Sequence, residues 1–435
     1  MIKCTKAILS IWLAICPALF FSQDRQMTAR EVADMAIVNH QQLKVAAQNI
    51  DIAKQNVEIA KEHKLPSIKA STSQFYLGNA FVLEKDLTDF QNVTMPHYGS
   101  TYGIEASELI FKGGLVKKNI ELAGLREQLA LLDFDKNKQD IKLLVISNYL
   151  DVYKIINQQI VYENNKKLAL ERLKNIQKFY QQGMLTRNEV IRAELAIKNL
   201  DQGILTLSNN RKILNYNLDI ALGLSDEIQI VPIEDLSSKE AGLGLEYYKN
   251  LAYENNPQLK SAKTNIDVAD KNIEIIKTDK MPTLAAFGGY SVQRPFTNVM
   301  PAMDIYLNVW QTGVQLSYNI DSLFKSKGKI ELGEMQKHQA QDALTLVKQN
   351  IDMSVNSAYI KYEESIQQVD ILDEAKKLAE ENYKITEAKY LNQLAVQTEM
   401  IDAQNQKLQS ELDYTNGEIN VLYQYYNLLK TTGSL

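Results

Sequence analysis

The feature that most constrains this chain is a long stretch that occurs twice. Residues 39–66 read NHQQLKVAAQNIDIAKQNVEIAKEHKLP, and residues 255–282 read NNPQLKSAKTNIDVADKNIEIIKTDKMP, with 15 of the 28 aligned positions identical. A second block, 210 residues apart, relates Gln139–Tyr149 to Gln349–Tyr359. Because internal repeats signal a repeated architecture, the sequence predicts two similar halves, residues 23–224 and 244–435.

The first 22 residues have the pattern of a secretory signal peptide. Lys3 and Lys6 precede an uncharged apolar run from Ala7 to Phe21, and Ser22-Gln23 offers a cleavage point. The alternative is a membrane anchor, but about 15 apolar residues fall short of the roughly 20 that a helical span needs. We therefore predict export of the mature chain.

Both cysteines, Cys4 and Cys16, lie within this leader, so the mature chain has no thiol. Leu13-Ala14-Ile15-Cys16 weakly resembles a lipoprotein cleavage site, although Ile15 is bulky for that position.

Net charge is −5, and acidic and basic residues are interspersed. This pattern gives no indication of nucleic-acid binding.

Each half begins with a predicted helix. Thr28 and Glu31 have the spacing of a capping box, in which both side chains satisfy free amides of the first turn. Apolar residues at helical spacing continue to Leu65-Pro66, and the second copy ends in the same way at Met281-Pro282. Proline disfavours helix in the residue before it, so the sequence predicts one helix up to each of these positions.

Two strand-like stretches follow in each half, separated by a polar loop that contains proline. The four predicted strands are Ser67–Leu77, Thr101–Phe111, Thr283–Gln293 and Trp310–Ile320. Each has about 11 residues, which matches the ~9–11 that a tilted transmembrane strand needs. A hairpin in a soluble domain is the alternative; the leader and the flanking helices favour the membrane.

Aromatic residues gather in and beside these strands. They include the mature chain's one tryptophan, Trp310, together with Tyr102 and Tyr306. Aromatic side chains concentrate at the boundary between membrane and water, so these three residues are predicted to lie at the interface with outer-membrane lipid.

Very long helices complete each half. Proline is absent from about Gly114 to Gln182 and from about Lys325 to Gln393, and about 68 helical residues would span about 100 Å. Apolar residues at steps of three and four predict coiled-coil packing. Return helices are predicted over about 186–222 and 397–430, and residues 225–243 form the predicted linker between the halves.

Four strands cannot close a barrel, and an open sheet edge is not viable in lipid. Several chains must therefore share one barrel. Two chains would give eight strands, whose interior is filled by side chains, whereas three would give 12 and leave a lumen. The chain must therefore form an oligomer, and three chains and four are both compatible with the strand count.

The order of elements resembles the TolC family of outer-membrane efflux proteins over nearly the whole mature chain. Similar motifs are Asn255-Asn256-Pro257-Gln258-Leu259, Leu109-Ile110-Phe111-Lys112-Gly113-Gly114, Ala221-Leu222-Gly223, and the turn from Tyr180 through Gly183 to Glu194. The resemblance implies an α+β membrane protein with a long α-helical coiled-coil barrel and a shared 12-stranded β-barrel. It also implies a homotrimer in the outer membrane that extends into the periplasm, docked to a periplasmic adaptor protein and connected to an inner-membrane transporter.

The resemblance also assigns candidate site residues. Glu399 and Asp402 match an acidic pair at the periplasmic entrance, and Tyr390 and Glu189 match residues that bond between neighbouring helices of the closed state. Gly183, Met184 and Leu185 match the turn that would contact the adaptor through an exposed apolar pair. Gln393 and Ala395 depart from the family, which usually has glycine and, in well-studied members, arginine there.

These residues also have simpler interpretations. The carboxylates can be solvated charges of a coiled coil, and the turn can be only a turn. The sequence contains no metalloprotease, hydrolase, phosphate-loop, dinucleotide-binding or CxxC motif, so we expect no enzyme, no cofactor and no bound metal. The function predicted is a passive outer-membrane exit duct of a tripartite efflux or type I secretion system. The alternative is a periplasmic coiled-coil tethering protein.

Overall fold

The computed structural model describes residues 24–225, 228–234 and 243–435. The predicted leader and Cys16 lie outside these residues. The elements of the first half are β1 (Asp24–Met27), α1 (Ala29–Asn39), α2 (Gln41–Glu62), β2 (Ser67–Tyr76), β3 (Ala80–Val82), β4 (Gln91–Val93), β5 (Tyr98–Phe111), α3 (Leu115–Gln181) and α4 (Arg187–Leu222). β6 (Gln229–Pro232) lies between the halves. The elements of the second half are α5 (Leu245–Asn255), α6 (Pro257–Lys277), a short 3-10 turn (Thr278–Lys280), β7 (Thr283–Arg294), β8 (Leu307–Ser317), α7 (Ser322–Leu391) and α8 (Gln397–Thr432).

This order confirms the internal twofold repeat. Two helices, two long strands, a very long helix and a return helix occur in that order in each half. The long helices α3 and α7 have 67 and 70 residues, several times the average of about 11–12 residues in globular proteins. The exact residue bounds of the two repeats and of the linker stay a prediction.

The prediction of one helix at the start of each half is wrong, because each is two helices. In the first half the chain is extended at His40, which separates α1 from α2. In the second half Asn256 is extended and caps α6, accepting from the amides of Gln258 and Leu259. Pro257 then occupies the first helical position, where its missing N–H costs nothing. The predicted capping box at Thr28 and Glu31 is confirmed.

The described residues fall into two compact units. Unit 1 contains residues 24–40, 142–225, 228–234 and 363–425, and unit 2 contains residues 41–141, 243–362 and 426–435. In unit 1, β1 pairs in parallel with β6, which lies in the predicted linker. The buried Tyr149 joins both strands, since its hydroxyl donates to the Met27 carbonyl at 2.8 Å and accepts from the Ile233 amide at 3.2 Å.

Unit 2 contains an antiparallel four-stranded sheet in the order β2-β5-β7-β8. The strands have 10 to 14 residues. β8 begins and ends three residues earlier than predicted, because its ladder with β7 ends at the pair Thr283 and Ser317. Pro282 precedes that pair and has no amide to extend the ladder. Asn319 and Ile320 instead accept the amides of Ser322 and Leu323 at the start of α7.

The loop between β2 and β5 contains structure that the sequence did not predict. β3 and β4 pair as a short hairpin, and the rings of Phe81 and Phe90 stack with centroids 5.0 Å apart.

Within residues 24–225, 228–234 and 243–435, no helix has both the length and the apolar character that a bilayer span requires.

Candidate functional site

The first candidate surface is the sheet of unit 2, whose two faces differ in chemistry. Directly paired residues share a face, because side chains alternate along each strand. One face, here called the apolar face, is dominated by large apolar and aromatic side chains. Its members include Ile68, Ala70, Tyr76, Tyr98, Tyr102, Ile104, Leu284, Tyr290, Val292, Trp310, Val314 and Leu316.

The opposite face, here called the polar face, carries mainly small and polar residues. It includes Ser67, Lys69, Ser71, Ser73, Thr101, Glu105, Ser107, Thr283, Ser291, Gln293, Gln311, Gln315 and Ser317. Alternation of apolar and polar faces over strands of this length is the pattern of a sheet between lipid and water.

Of the three aromatic residues predicted for the membrane interface, Trp310 and Tyr102 lie in the half of their strands nearer the loops, and Tyr306 lies just outside the sheet. Trp310, 74% exposed, pairs with Tyr290 on the apolar face. Tyr102 lies on the same face and accepts a hydrogen bond from Gln74 at 3.0 Å. Tyr306 comes just before β8, and the guanidinium of Arg294 lies 5.4 Å from its ring centre.

The second candidate surface is formed by the two helical turns of unit 1, here called the first tip (residues 180–190) and the second tip (residues 390–400). In the first tip the amides of Gly183 and Met184 donate to the carbonyls of Tyr180 and Phe179. In the second, Gln393 and Leu394 donate to Tyr390 and Lys389. Both turns are Schellman motifs, which need a left-handed residue after the helix. Gly183 has φ +75°, and Gln393 adopts φ +62° in the same role.

Both tips place an inward apolar residue before the return helix. Leu185 and Ala395 pack on a core that contains Val190 and Met400, which lie one turn into α4 and α8. These contacts are hydrophobic staples, which fix the direction in which the chain enters a helix. The predicted exposed pair Met184-Leu185 is therefore wrong for Leu185, which is half-buried. Met184 is exposed, and Leu394 occupies the equivalent position of the second tip.

The core between the tips also holds Tyr390. Its side chain is buried, and its hydroxyl has no hydrogen-bond partner in the described part of the chain. Burial raises the pKa of Tyr390, and the nearby charge of Glu189 raises it further. The carboxylate of Glu189 instead accepts from the amide and hydroxyl of Thr186, at 2.6 and 3.2 Å. Within one chain, the side chains of Tyr390 and Glu189 thus lie near each other but form no hydrogen bond.

The predicted acidic pair lies exposed on α8. Glu399 and Asp402 are three residues apart, which places them on one helical face. Asp402 accepts from Gln406 at 2.9 Å, and Glu399 forms no hydrogen bond or ion pair among the described residues. The equivalent residues of α4, 210 positions earlier, are Glu189 and Arg192. The acidic pair is therefore specific to the second tip.

Two buried residues near the tips, Gln397 and Arg172, were not predicted from the sequence. Gln397 donates to the Glu189 carbonyl at 2.7 Å and so joins the start of α8 to α4. Arg172, 6% exposed, contacts the Gln404 amide oxygen, whereas its Nη1 has no partner among the described residues. Burial lowers the pKa of Arg172, while Tyr383, Glu387 and Tyr390 act in the opposite direction.

Arg172 is part of a regular series of polar contacts between α3 and α8. Gln158, Asn165 and Arg172 recur every seven residues on α3, and they contact Asn416, Glu411 and Gln404 on the antiparallel α8. Glu411 also pairs with the buried Lys407 at 2.7 Å. The seven-residue spacing was visible in the sequence, but polar side chains at that spacing are usually exposed.

The sequence matches the outer membrane efflux protein family over residues 32–224 and 249–434. This chain belongs to the outer membrane efflux protein family. The match covers both halves and leaves out the segment between them, as expected for a repeated family unit. No curated protein sequence matches this efflux protein significantly.

Solved structures of outer-membrane channels share the fold of this efflux protein. CusC is 14% identical, with a TM-score of 0.76 over 94% of this chain and 92% of its own. CmeC of Campylobacter jejuni is 13% identical, with a TM-score of 0.73 over 100% and 94%. VceC of Vibrio cholerae is 13% identical, with a TM-score of 0.72 over 93% and 96%.

The efflux protein is therefore an outer-membrane duct that extends into the periplasm, and the tethering alternative is not favoured. The predicted fold class is confirmed: an α+β membrane protein that combines a long helical barrel, a shared β-barrel and an internal repeat.

The two turns of this efflux protein both favour glycine, so a substitution to glycine and a substitution from glycine should have opposite effects. Gln393→Gly should stabilise the second tip by about 1 kcal/mol, the order of cost of a left-handed non-glycine residue. Gly183→Ala should destabilise the first tip by a similar amount; an added Cβ there meets no atom within 4 Å, so the cost is conformational. Hydrogen exchange of the amides of Met184 and Leu394 measures both effects.

Gly124→Ala is the control for these variants. Gly124 lies within α3 without a positive φ and also has open space around it, so alanine should stabilise the helix by roughly 0.5–1 kcal/mol. Faster exchange at Leu394 in Gln393→Gly would contradict the interpretation.

Proposed function

We propose that this protein acts as a passive, non-enzymatic homotrimeric exit duct of a tripartite efflux or type I secretion system. The observation that supports an oligomer is that both edges of the sheet are open: β2 and β8 each have one neighbour among the described strands. Successive strands are antiparallel, so β8 of one copy runs antiparallel to β2 of the next. Joining the edges around a ring satisfies their backbone groups, as lipid requires.

In this arrangement the apolar face contacts lipid and the polar face lines the duct. The aromatic residues Trp310, Tyr306 and Tyr102 would then mark the outer membrane–water interface. The number three rests on the family and on the 12 strands that three copies supply, since eight strands leave an interior filled by side chains.

Cross-linking between the edges tests the trimer. The mature chain has no cysteine, so Thr72→Cys in β2 and Thr312→Cys in β8 introduce the sole thiols. With a flexible bis-maleimide in native membranes, the double variant should give covalent products of two and three chains. Each single variant should give none, because β2 never adjoins a second β2. A ladder beyond three chains, or no product in the double variant, would refute the closed trimer.

At the second tip, we propose that Glu399 and Asp402 of three copies form two carboxylate rings at the periplasmic entrance. Such rings attract cations and can hold multivalent ions. Their exposure on α8, and the absence of a partner for Glu399 among the described residues, support this role. The buried Tyr390 and the half-buried Glu189, which caps the start of α4 with Thr186, are proposed to bond between neighbouring helices in the closed state.

Single-channel recording tests the rings. The double variant Glu399→Gln with Asp402→Asn should lose most of the block by divalent and trivalent cations added on the periplasmic side. The matched control, Glu374→Gln with Glu381→Gln, removes two exposed carboxylates of α7 and should leave the block intact. Equal block in both double variants would mean that the charges at the tip are only solvated.

We propose that the tips, through Gly183 and the exposed Met184, dock a periplasmic adaptor protein that connects the duct to an inner-membrane transporter. The half-buried Leu185 would orient the turn rather than contact the adaptor. A photo-crosslinking residue at Met184 should capture the adaptor in cells, whereas the same residue at Lys212, on the exposed side of α4, should not. Capture at neither position would count against docking at the tip.

A further inference from the structure

A polar cavity of ≈ 300 Å³ lies in unit 2 where the strands end and α7 begins. Three strands reach it: Lys112 directly follows β5, Thr283 begins β7 and Ser317 ends β8. Its other lining residues include Asp279, Asp321, Ser322, Lys325, Ser326 and Lys329. The volume is at the lower end of the range of about 300–1,000 Å³ for small-molecule sites.

The charges of this cavity favour an anion. Three lysines and two aspartates line it, which leaves one net positive charge. Lys325 pairs with Asp321 at 2.8 Å, and Lys329 pairs with Asp279 at 3.2 Å. Both ion pairs are largely exposed, and such pairs are weak, so these lysines can turn towards a ligand.

Lys112 supplies the excess charge. Its side chain is half-buried, and it has no hydrogen bond or ion pair within the residues that the structure describes. Partial removal of an ammonium group from water is unfavourable unless an opposite charge compensates for it. A bound anion would provide that compensation.

A buried hydroxyl adds a second, independent observation. Ser326 is 2% exposed, lines the cavity, and its Oγ has no hydrogen-bond partner among the described residues. The amides of Ser322 and Lys325 already donate to the carbonyls of Asn319 and Asp321. The start of α7 therefore contributes its dipole and side chains, not free amides.

We propose that this cavity binds the phosphate or pyrophosphate group of an anionic solute in the duct. Ammonium and hydroxyl donors that line one cavity match the several acceptor oxygens of a phosphate. Two of its lining residues, Thr283 and Ser317, are paired on the polar face of the sheet, so the cavity borders that face. Its location inside the duct rests on the proposed function, in which the polar face lines the lumen.

Calorimetric titration of the purified full-length channel with sodium pyrophosphate tests the site. The wild type should bind, and Lys112→Gln should bind at least about tenfold more weakly, the effect expected for one charged hydrogen bond. Ser326→Ala should also weaken binding. Lys327→Gln is the matched control, since Lys327 lies on the same turn of α7 but does not line the cavity. No binding by the wild type, or equal losses in Lys112→Gln and Lys327→Gln, would overturn the proposal.

Two further measurements test whether the ligand is a soluble anion or a lipid headgroup, and whether the site lies in a conducting duct. Displacement of pyrophosphate by short-chain phosphatidylglycerol would assign the site to a lipid headgroup and overturn its location in the lumen. In planar bilayers, pyrophosphate should reduce the current of the wild type but not of Lys112→Gln. Failure of the protein to conduct at all would contradict the proposed duct, while the calorimetric result would still decide whether the anion site exists.

Discussion

The structure depends on one constraint: a sheet with two open edges cannot remain alone in a membrane. β2 and β8 each present a row of backbone groups with no partner in the sheet of their own chain. In water such edges can be solvated, but in hydrocarbon each unsatisfied group costs several kcal/mol. The edges can be satisfied by other copies of the same chain, because the end strands run in opposite directions. The number of strands per chain is therefore the reason for proposing that the duct is an assembly.

The same constraint explains which parts of the fold the sequence could predict. The long strands alternate between apolar and polar side chains, as in Val314, Gln315 and Leu316. The proposed barrel, with lipid on one side and water on the other, accounts for that alternation. The long helices were predictable because proline is absent from them. Because the chain repeats, the prediction for one half also supports the prediction for the other: the helix end predicted at Met281-Pro282 supports the helix end predicted at Leu65-Pro66.

The parts that the sequence did not predict depend on local geometry or on distant partners. The extended residues His40 and Asn256 interrupt apolar patterns that continue on both sides of them, so periodicity alone joined two helices into one. β6 is only four residues long and is defined by its pairing with β1, about 200 residues earlier. The hairpin of β3 and β4 likewise has strands of three residues. Short elements carry too few residues to show a period.

The candidate site was predictable as a position but not as a set of contacts. The turns at Gly183 and Gln393 were located from their motif, yet the inward direction of Leu185 follows from its staple with Val190. Arg172 is a stronger example of a contact that the sequence does not reveal. A charge on a long helix is usually solvated, and only its contact with Gln404, 232 residues later, reveals that it is buried.

The buried polar contacts between α3 and α8 are costly compared with apolar packing, because charges such as Arg172 and Lys407 lose water on burial. Lys407 recovers part of that loss through Glu411, whose other oxygen accepts from Asn165. Arg172 recovers less, since one of its nitrogens has no partner among the described residues. Polar groups at such positions are best known for specifying the register of paired helices. In unit 1 they join the helix that precedes the first tip to the helix that follows the second, so they set where Glu399 and Asp402 lie relative to Glu189. The proposed rings of charge at the entrance require that alignment in every copy, and an apolar seam, which tolerates sliding, would not provide it.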